Sequence, residues 1–148
     1  MAQARQFWDE LFGPGEGVAA THSFTMRLLR KAGKPFLLLP TQARAAAAAL
    51  ELYPAQSLKA RLAKGALHTL LRAGWAAGTE RLTFELAAEA PFTGFLRARA
   101  GENGPVVPCF GVLAGNPAMA SQRFLVLLFD ARQRPVCVVK AGLSPSAR

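Results

Sequence analysis

Hydrophobic residues are arranged most regularly near the end of the chain, over residues 108–142. Three short apolar runs, at residues 109–114, 123–129 and 135–140, are rich in Leu, Phe and Val and are bounded by Gly, Pro, Asn and Asp. Such runs are typical of β-strands joined by tight turns. We therefore predict three strands and two turns in this part of the chain.

The third of these runs has two distinct faces. Because side chains alternate along a strand, Val136 and Val138 are expected on one face. Cys137 and Val139 then point to the opposite face. Lys140 ends the run on the face of the first two valines. A lysine that closes an apolar strand, just after a hairpin with a glycine-containing turn, is an arrangement that suits phosphate binding.

Further strands are predicted upstream of this region. Residues 36–39 form an apolar run that a proline ends, which is typical of a buried strand. Residues 81–86 alternate between apolar and polar side chains and predict a half-buried strand. Residues 92–100 predict a weaker strand. Residues 17–23 predict a loop, and residues 24–31 fit either a strand or a helix.

Three helices are predicted in the first half of the chain. Residues 1–12 predict a short amphipathic helix, which either packs on its own domain or docks on a partner. Thr41 is a suitable N-cap for a second helix over residues 42–52, whose alanine run has a high helix propensity. Ser57 is expected to cap a third helix, which a glycine closes after residue 73.

The third helix carries two stripes of residues with helical spacing. The apolar stripe consists of Leu58, Leu62, Ala66, Leu70 and Ala73. The basic stripe consists of Arg61, Lys64, His68 and Arg72. We interpret the basic stripe either as a solvated face or as an anion-binding face. His68 has no carboxylate neighbour in the sequence, so we assign it no catalytic role.

The pattern as a whole predicts an α+β fold in which a helical N-terminal half, residues 1–75, precedes an antiparallel β region, residues 76–148. A soft boundary near residues 74–79 separates the two, although one continuous domain also fits a chain of 148 residues. The composition is that of a globular protein, because 51% of the residues are hydrophobic and 18% are charged. The net charge of +9 favours anionic partners such as nucleotides, nucleic acid, phospholipid head groups or an acidic protein.

Metal sites and membrane spans find no support in the sequence. Cys109 and Cys137 are the only cysteines and lack the spacing of a zinc site. We interpret them as buried free thiols, with a disulfide as the alternative. Residues 103–122 carry no charge, but their prolines and glycines argue against a membrane helix. Because residues 1–10 lack the apolar core of a secretion signal, we expect a cytoplasmic protein.

The order of features at the end of the chain resembles a known family. A turn with the sequence Gly-Asn-Pro at residues 115–117 precedes a strand that leads to Asp130, and the next strand ends in Lys-Ala-Gly at residues 140–142. This order is similar to that in the nucleotide-binding lobe of kinase-like enzymes, and in particular of the aminoglycoside-phosphotransferase-like branch. The detailed similarity covers about a quarter of the chain. It implies an antiparallel sheet like that of a protein-kinase-like N-terminal lobe.

The resemblance also implies a binding site, with ATP as the cofactor. Lys140 would contact the phosphates as a compact charge, and the turn at Gly115 and Asn116 would offer them backbone N–H groups. The structural alternatives are a strand-end lysine in solvent and an ordinary hairpin turn. Gly111, inside the first strand of this region, marks either a bulge or the close approach of a ligand.

Departures from the family pattern limit the activity that we expect. Ala118 stands where the family has a second glycine, so the backbone there approaches phosphate less closely. The chain has no H-x-D catalytic loop, and its only aspartates, Asp9 and Asp130, do not follow a histidine. We therefore expect no catalytic residue in this chain and weak ATP binding, with a catalytic lobe as a partner that the chain lacks.

Two other interpretations stay open. The chain could be a basic α+β binding module for nucleic acid or for an acidic protein partner, with hairpins that only resemble a kinase lobe. It could also be a remnant or a truncated product without independent activity.

Overall fold

Six antiparallel strands form one sheet in the part of the chain that the structure describes. The structure is a computed structural model, which describes residues 20–76, 78–87, 91–100, 109–114 and 123–142. The strands are β1 (Ala20–Lys31), β2 (Lys34–Pro40), β3 (Glu80–Ala87), β4 (Phe110–Leu113), β5 (Arg123–Phe129) and β6 (Pro135–Gly142). Their order across the sheet is β3-β1-β2-β4-β5-β6, so β3 and β6 are the edge strands.

Helices cover both faces of this sheet. They are α1 (Ala43–Ala49), which continues into a 3-10 turn (Leu50–Leu52), α2 (Leu58–Arg72) and α3 (Pro91–Ala100). Buried residues of α1 and α2 belong to one core cluster, and Leu96 of α3 belongs to a second cluster on the opposite face. The predicted α+β class is therefore confirmed. No helix among the described residues has both the length and the apolar character needed to span a bilayer.

Strand β5 lies between the two core clusters. Its side chains alternate between them, with Phe124, Val126 and Leu128 in the cluster that contains α3. Leu127 and Phe129 are buried in the cluster that contains α1 and α2. Burial on both faces explains why β5 is a continuous apolar run rather than an alternating one. The neighbouring β6 is an edge strand with one buried and one open face.

Helix α1 lies directly on the sheet at Gly111 of β4. A Cβ atom at Gly111 would lie 2.7 Å from the Cβ of Ala49, which is closer than two carbons can pack. The alanine run of α1 is buried for the same reason, since Ala45, Ala46 and Ala49 are almost fully shielded from solvent. Small side chains on both elements thus set the helix–sheet distance. The close approach at Gly111 is made by a helix of the same chain.

Several predicted elements are confirmed. The buried strand at residues 36–39 and the half-buried strand at residues 81–86 are β2 and β3. Ser57 caps α2, because its Oγ accepts a hydrogen bond of 3.2 Å from the backbone N–H of Ala60. Gly74 follows the helix with φ of +84°, as expected of a glycine that closes a helix. The N-cap of α1 is Gln42 rather than Thr41, and it makes no side-chain capping bond.

Two local predictions are wrong. Residues 92–100 belong to helix α3 and not to a strand. The guanidinium of Arg99 lies 5.7 Å from the ring centre of Phe95, four residues earlier, which is the spacing of neighbours on a helix. The predicted loop at residues 17–23 overlaps β1, which begins at Ala20. Pairing with β3 extends β1 beyond its apolar residues, and Ser23 lies opposite Glu85.

The predicted order, with a helical half first, is not what the described chain shows. Strands β1 and β2 precede every described helix, and they share one sheet with β4, β5 and β6. The sheet therefore crosses the predicted boundary between residues 75 and 76. Residues 24–31, which fitted either a strand or a helix, are strand because β2 and β3 pair with them on both sides. The predicted helix at residues 1–12 lies outside the described residues.

Candidate functional site

Lys140 lies on the open face of the edge strand β6. The predicted alternation is confirmed, because Val136, Val138 and Lys140 are exposed while Cys137 and Val139 are half-buried. The register pairs Lys140 with Leu125 of β5, on the face of the sheet that α1 and α2 cover. These helices pack over β2, β4 and β5, so the same face of β6 is left in solvent. The ammonium group thus stands at the end of an exposed apolar strip.

The backbone of Lys140 lies level with the last residue of β4. Leu113 pairs with Leu125, and Leu125 pairs with Lys140, so the three residues form a row across neighbouring strands. At a strand spacing of about 4.8 Å, the backbones of Leu113 and Lys140 are about 10 Å apart. Strand β4 ends at Leu113, two residues before Gly115 in the sequence. Gly115 and Asn116 lie outside the described residues, as does Ala118.

Asp130 organises the turn between β5 and β6. Its Oδ1 accepts hydrogen bonds from the backbone N–H groups of Arg132 and Arg134, at 2.9 and 2.8 Å. Its Oδ2 accepts a bond of 2.9 Å from Nε of Arg134. The backbone N–H of Arg134 contributes most to lowering the pKa of the Asp130 carboxyl below its ordinary value. Asp130 therefore stabilises the turn. This turn lies at the opposite end of β6 from Lys140.

A basic cleft lies beside this turn, on the face of the sheet that α1 and α2 cover. It is open, has a volume of about 650 Å³, and is lined by Gln42, Ala43, Arg44, Arg72, Arg132 and Gln133. The three arginines come from α1, from the last turn of α2 and from the β5–β6 turn. Among the described residues, no carboxylate lines the cleft and no ion pair involves these arginines. Such a cleft attracts anions, and phosphate oxygens in particular.

Sequence reasoning did not find this cleft. Arg72 belonged to the predicted basic stripe, but Arg44 and Arg132 carried no signal of their own because they are far apart in the sequence. The stripe itself is divided in the structure. Lys64 is half-buried and donates hydrogen bonds of 2.8 Å to Glu51 and 3.1 Å to the carbonyl of Tyr53. Its charge is therefore neutralised locally, while Arg72 faces the cleft.

The two cysteines are free thiols in the structure, as predicted, but both are half-buried and not buried as expected. Cys109 is half-buried beside the start of α1, where its Sγ donates a weak hydrogen bond of 3.5 Å to Oε1 of Gln42. Burial raises the pKa of the Cys109 thiol from 9.0 to about 11. No group of three or more His, Cys, Asp or Glu side chains among the described residues is placed to hold a metal ion.

Comparisons with known proteins returned no match: no protein-family model fits the sequence, and no curated protein or solved structure is detectably similar to the chain.

Proposed function

We propose that this chain is the nucleotide-binding lobe of a kinase-like phosphotransferase, and that the end of the β4–β5–β6 meander near Lys140 holds the phosphates of ATP. One observation carries the proposal. Lys140 is exposed, it makes no ion pair with a described residue, and its backbone lies level with Leu113, which precedes Gly115 by two residues in the sequence. An ammonium group near such a connection suits phosphate oxygens.

The lobe alone is not expected to transfer phosphate. Phosphoryl transfer depends on positioning, on metal ions that neutralise charge, and on a residue that orients the nucleophile. The sequence has no H-x-D motif to supply that residue. ATP should therefore bind weakly, since one lobe offers half of the contacts that a complete kinase site makes.

An ATP titration followed by isothermal calorimetry tests this proposal. Replacement of Lys140 by Ala should raise the Kd for ATP at least about tenfold, because a charge-assisted contact with phosphate contributes about 1.5–3 kcal/mol. The matched control is Lys34→Ala, which removes one exposed charge from the β1–β2 hairpin and should leave the Kd unchanged. Equal Kd values for all three proteins, or no ATP binding by the wild type, would contradict the proposal.

The basic cleft favours a second candidate, a module that binds the phosphate backbone of nucleic acid. Three arginines line it that form no ion pair with a carboxylate in the described part of the chain, and the whole chain carries a charge of +9. A single-stranded oligonucleotide, added in the same titration at several salt concentrations, separates the two functions. The nucleic-acid module predicts oligonucleotide binding that weakens as the salt concentration rises. Lys140→Ala should leave this binding intact, and the double substitution Arg44→Ala with Arg132→Ala should abolish it.

A further inference from the structure

Helix α2 turns its most apolar stripe away from the sheet. Leu58 is 74% exposed, Leu62 68% and Leu70 41%, and Ala66 and Ala73 between and beyond them are also exposed. Trp75, just past the end of the helix, is 68% exposed. The helix is anchored through its other side, where Leu71 is buried and Leu67 half-buried in the core.

Exposing this apolar stripe to water costs free energy, and a bound partner would remove that cost by covering the stripe. Burying one leucine side chain contributes about 1.5–3 kcal/mol, so the three exposed leucines of this helix hold a substantial free energy of association. Contiguous apolar patches on a protein surface usually mark interaction sites. Single exposed leucines need no explanation, but here they follow one another at spacings of four and eight residues along a single helix.

The charges beside the stripe are all of one sign. Lys59, Arg61 and Arg72 are exposed, and α2 contains no acidic residue. With about 100° of rotation per residue, Arg61 and Arg72 fall on one side of the leucines. Lys59 falls in angle between Leu62 and Leu70. A complementary partner therefore presents an apolar strip with carboxylates beside it. A second copy of this chain is a poor partner, because each copy carries a net charge of +9.

We propose that the exposed face of α2 is the docking surface for an acidic amphipathic helix of a partner protein. Leu58, Leu62, Leu70 and Trp75 pack against its apolar side, and Lys59, Arg61 and Arg72 pair with its carboxylates. The 15 residues of α2 span about 22 Å, so the partner helix needs about four turns to cover the stripe. This surface does not depend on nucleotide binding at Lys140.

The test uses a synthetic helical peptide of about 21 residues, three heptads with Leu at a and d and Glu at e and g. A matched peptide carries Lys in place of Glu. Binding is followed by the fluorescence of Trp75 in the full chain with Trp8→Phe, because these are the only two tryptophans. The Glu peptide should bind, and the Lys peptide should bind at least about tenfold more weakly.

Two variants locate the binding surface. Leu58→Ser with Leu62→Ser should raise the Kd for the Glu peptide at least about tenfold without lowering Tm, since both side chains are exposed. Val136→Ser with Val138→Ser removes two exposed apolar side chains from β6 and should leave the Kd unchanged. Reversal of charge by Lys59→Glu with Arg61→Glu should transfer the preference to the Lys peptide.

Four results would overturn the proposal. The first is failure of the Glu peptide to bind, or binding that survives loss of the two leucines. The second is binding to phosphatidylserine vesicles but not to the peptide, which identifies a membrane-contacting face. The third is a dimer in sedimentation that Leu58→Ser with Leu62→Ser dissociates. The fourth is a fall in Tm of several degrees in that variant, which means that the chain's own residues already cover the stripe.

Discussion

At Gly111 the sheet has no side chain on the face that α1 covers, and the Cβ of Ala49 occupies the space that a side chain would need. Replacement of Gly111 by Ala should therefore force the helix from the sheet and lower the free energy of unfolding by about 1–3 kcal/mol. Urea denaturation measures this change.

Gly65→Ala is the matched control for that substitution. It adds the same methyl group where no atom lies within 4 Å, on an exposed helix position. There it should leave stability unchanged or raise it by up to about 1 kcal/mol, because alanine favours the helix. If the two substitutions had equal effects, the contact between Gly111 and Ala49 would not determine the helix position.

Cys109 should be an unreactive thiol. Its pKa of about 11, against an ordinary value of 9.0, leaves about a hundredfold less thiolate at pH 8. In a Cys137→Ser variant, alkylation of the native protein by iodoacetamide should therefore be about a hundredfold slower than in urea. Because burial penalises the thiolate, this group also costs the native state stability as the pH rises above 9.0. Equal rates in native and unfolded protein would contradict the assignment.

Individual residues differ in how far their sequence context reveals their role. The alternation along β6 was sufficient to place Lys140 on the face of Val136 and Val138, because strand geometry is local. The reason for Gly111 was not visible, since its neighbour Ala49 lies in a different element. The sequence also does not show that three arginines lie close together, because only the packing of α1, α2 and the β5–β6 turn brings Arg44, Arg72 and Arg132 to one cleft.

Among the elements, the β1–β2 hairpin carries local strain. Ala32 has φ of 50° and Gly33 has φ of 76°, so both residues of this two-residue turn are left-handed. Such turns favour Asn followed by Gly, and a left-handed alanine costs about 1–2 kcal/mol. Ala32→Asn should therefore raise the free energy of unfolding by roughly 0.5–1 kcal/mol, measured by thermal or urea denaturation.

The same substitution at an exposed helix position should have the opposite sign. Ala66→Asn in α2 replaces the strongest helix former and should cost up to about 0.7 kcal/mol. A destabilising Ala32→Asn would show that the turn does not hold the conformation described above.

Element type was predictable where the pattern was long or flanked by clear breakers. Strands β2, β3, β5 and β6 and the capped helix α2 have these signals. Residues 92–100 do not, because arginines at alternate positions imitate a strand while Phe95 and Arg99 have helical spacing as well. Tertiary contacts stabilise the helix at residues 92–100, since Leu96 is fully buried against the sheet. Contacts also determine that β1 is a strand, because two neighbouring strands pair with it.

At the scale of the whole molecule, the hydrophobic pattern predicted the class of fold but not its layout. The sheet order β3-β1-β2-β4-β5-β6 joins residues from both ends of the chain, which no local pattern records. The layout places two basic features at opposite ends of β6, Lys140 at one and the arginine cleft at the other. The layout also leaves Leu58, Leu62 and Leu70 of α2 exposed, because the side of the helix that packs on the core is the one that carries Leu67 and Leu71.

Strands β2 and β4 are held together by a short ladder at the centre of this sheet. Among the described residues it comprises the pairs Leu37 with Leu113 and Leu38 with Val112. The β1–β2 hairpin and the β4–β5–β6 meander pair residues that lie close in the sequence, so each of these two units can assemble early through short-range encounters. The β2–β4 ladder and the β1–β3 pairing must instead close loops of roughly 50–75 residues, which carries a larger entropy penalty. Folding is therefore expected to wait on the meeting of the hairpin with the meander, and Leu38 and Val112 would then be among the last apolar side chains to lose contact with water.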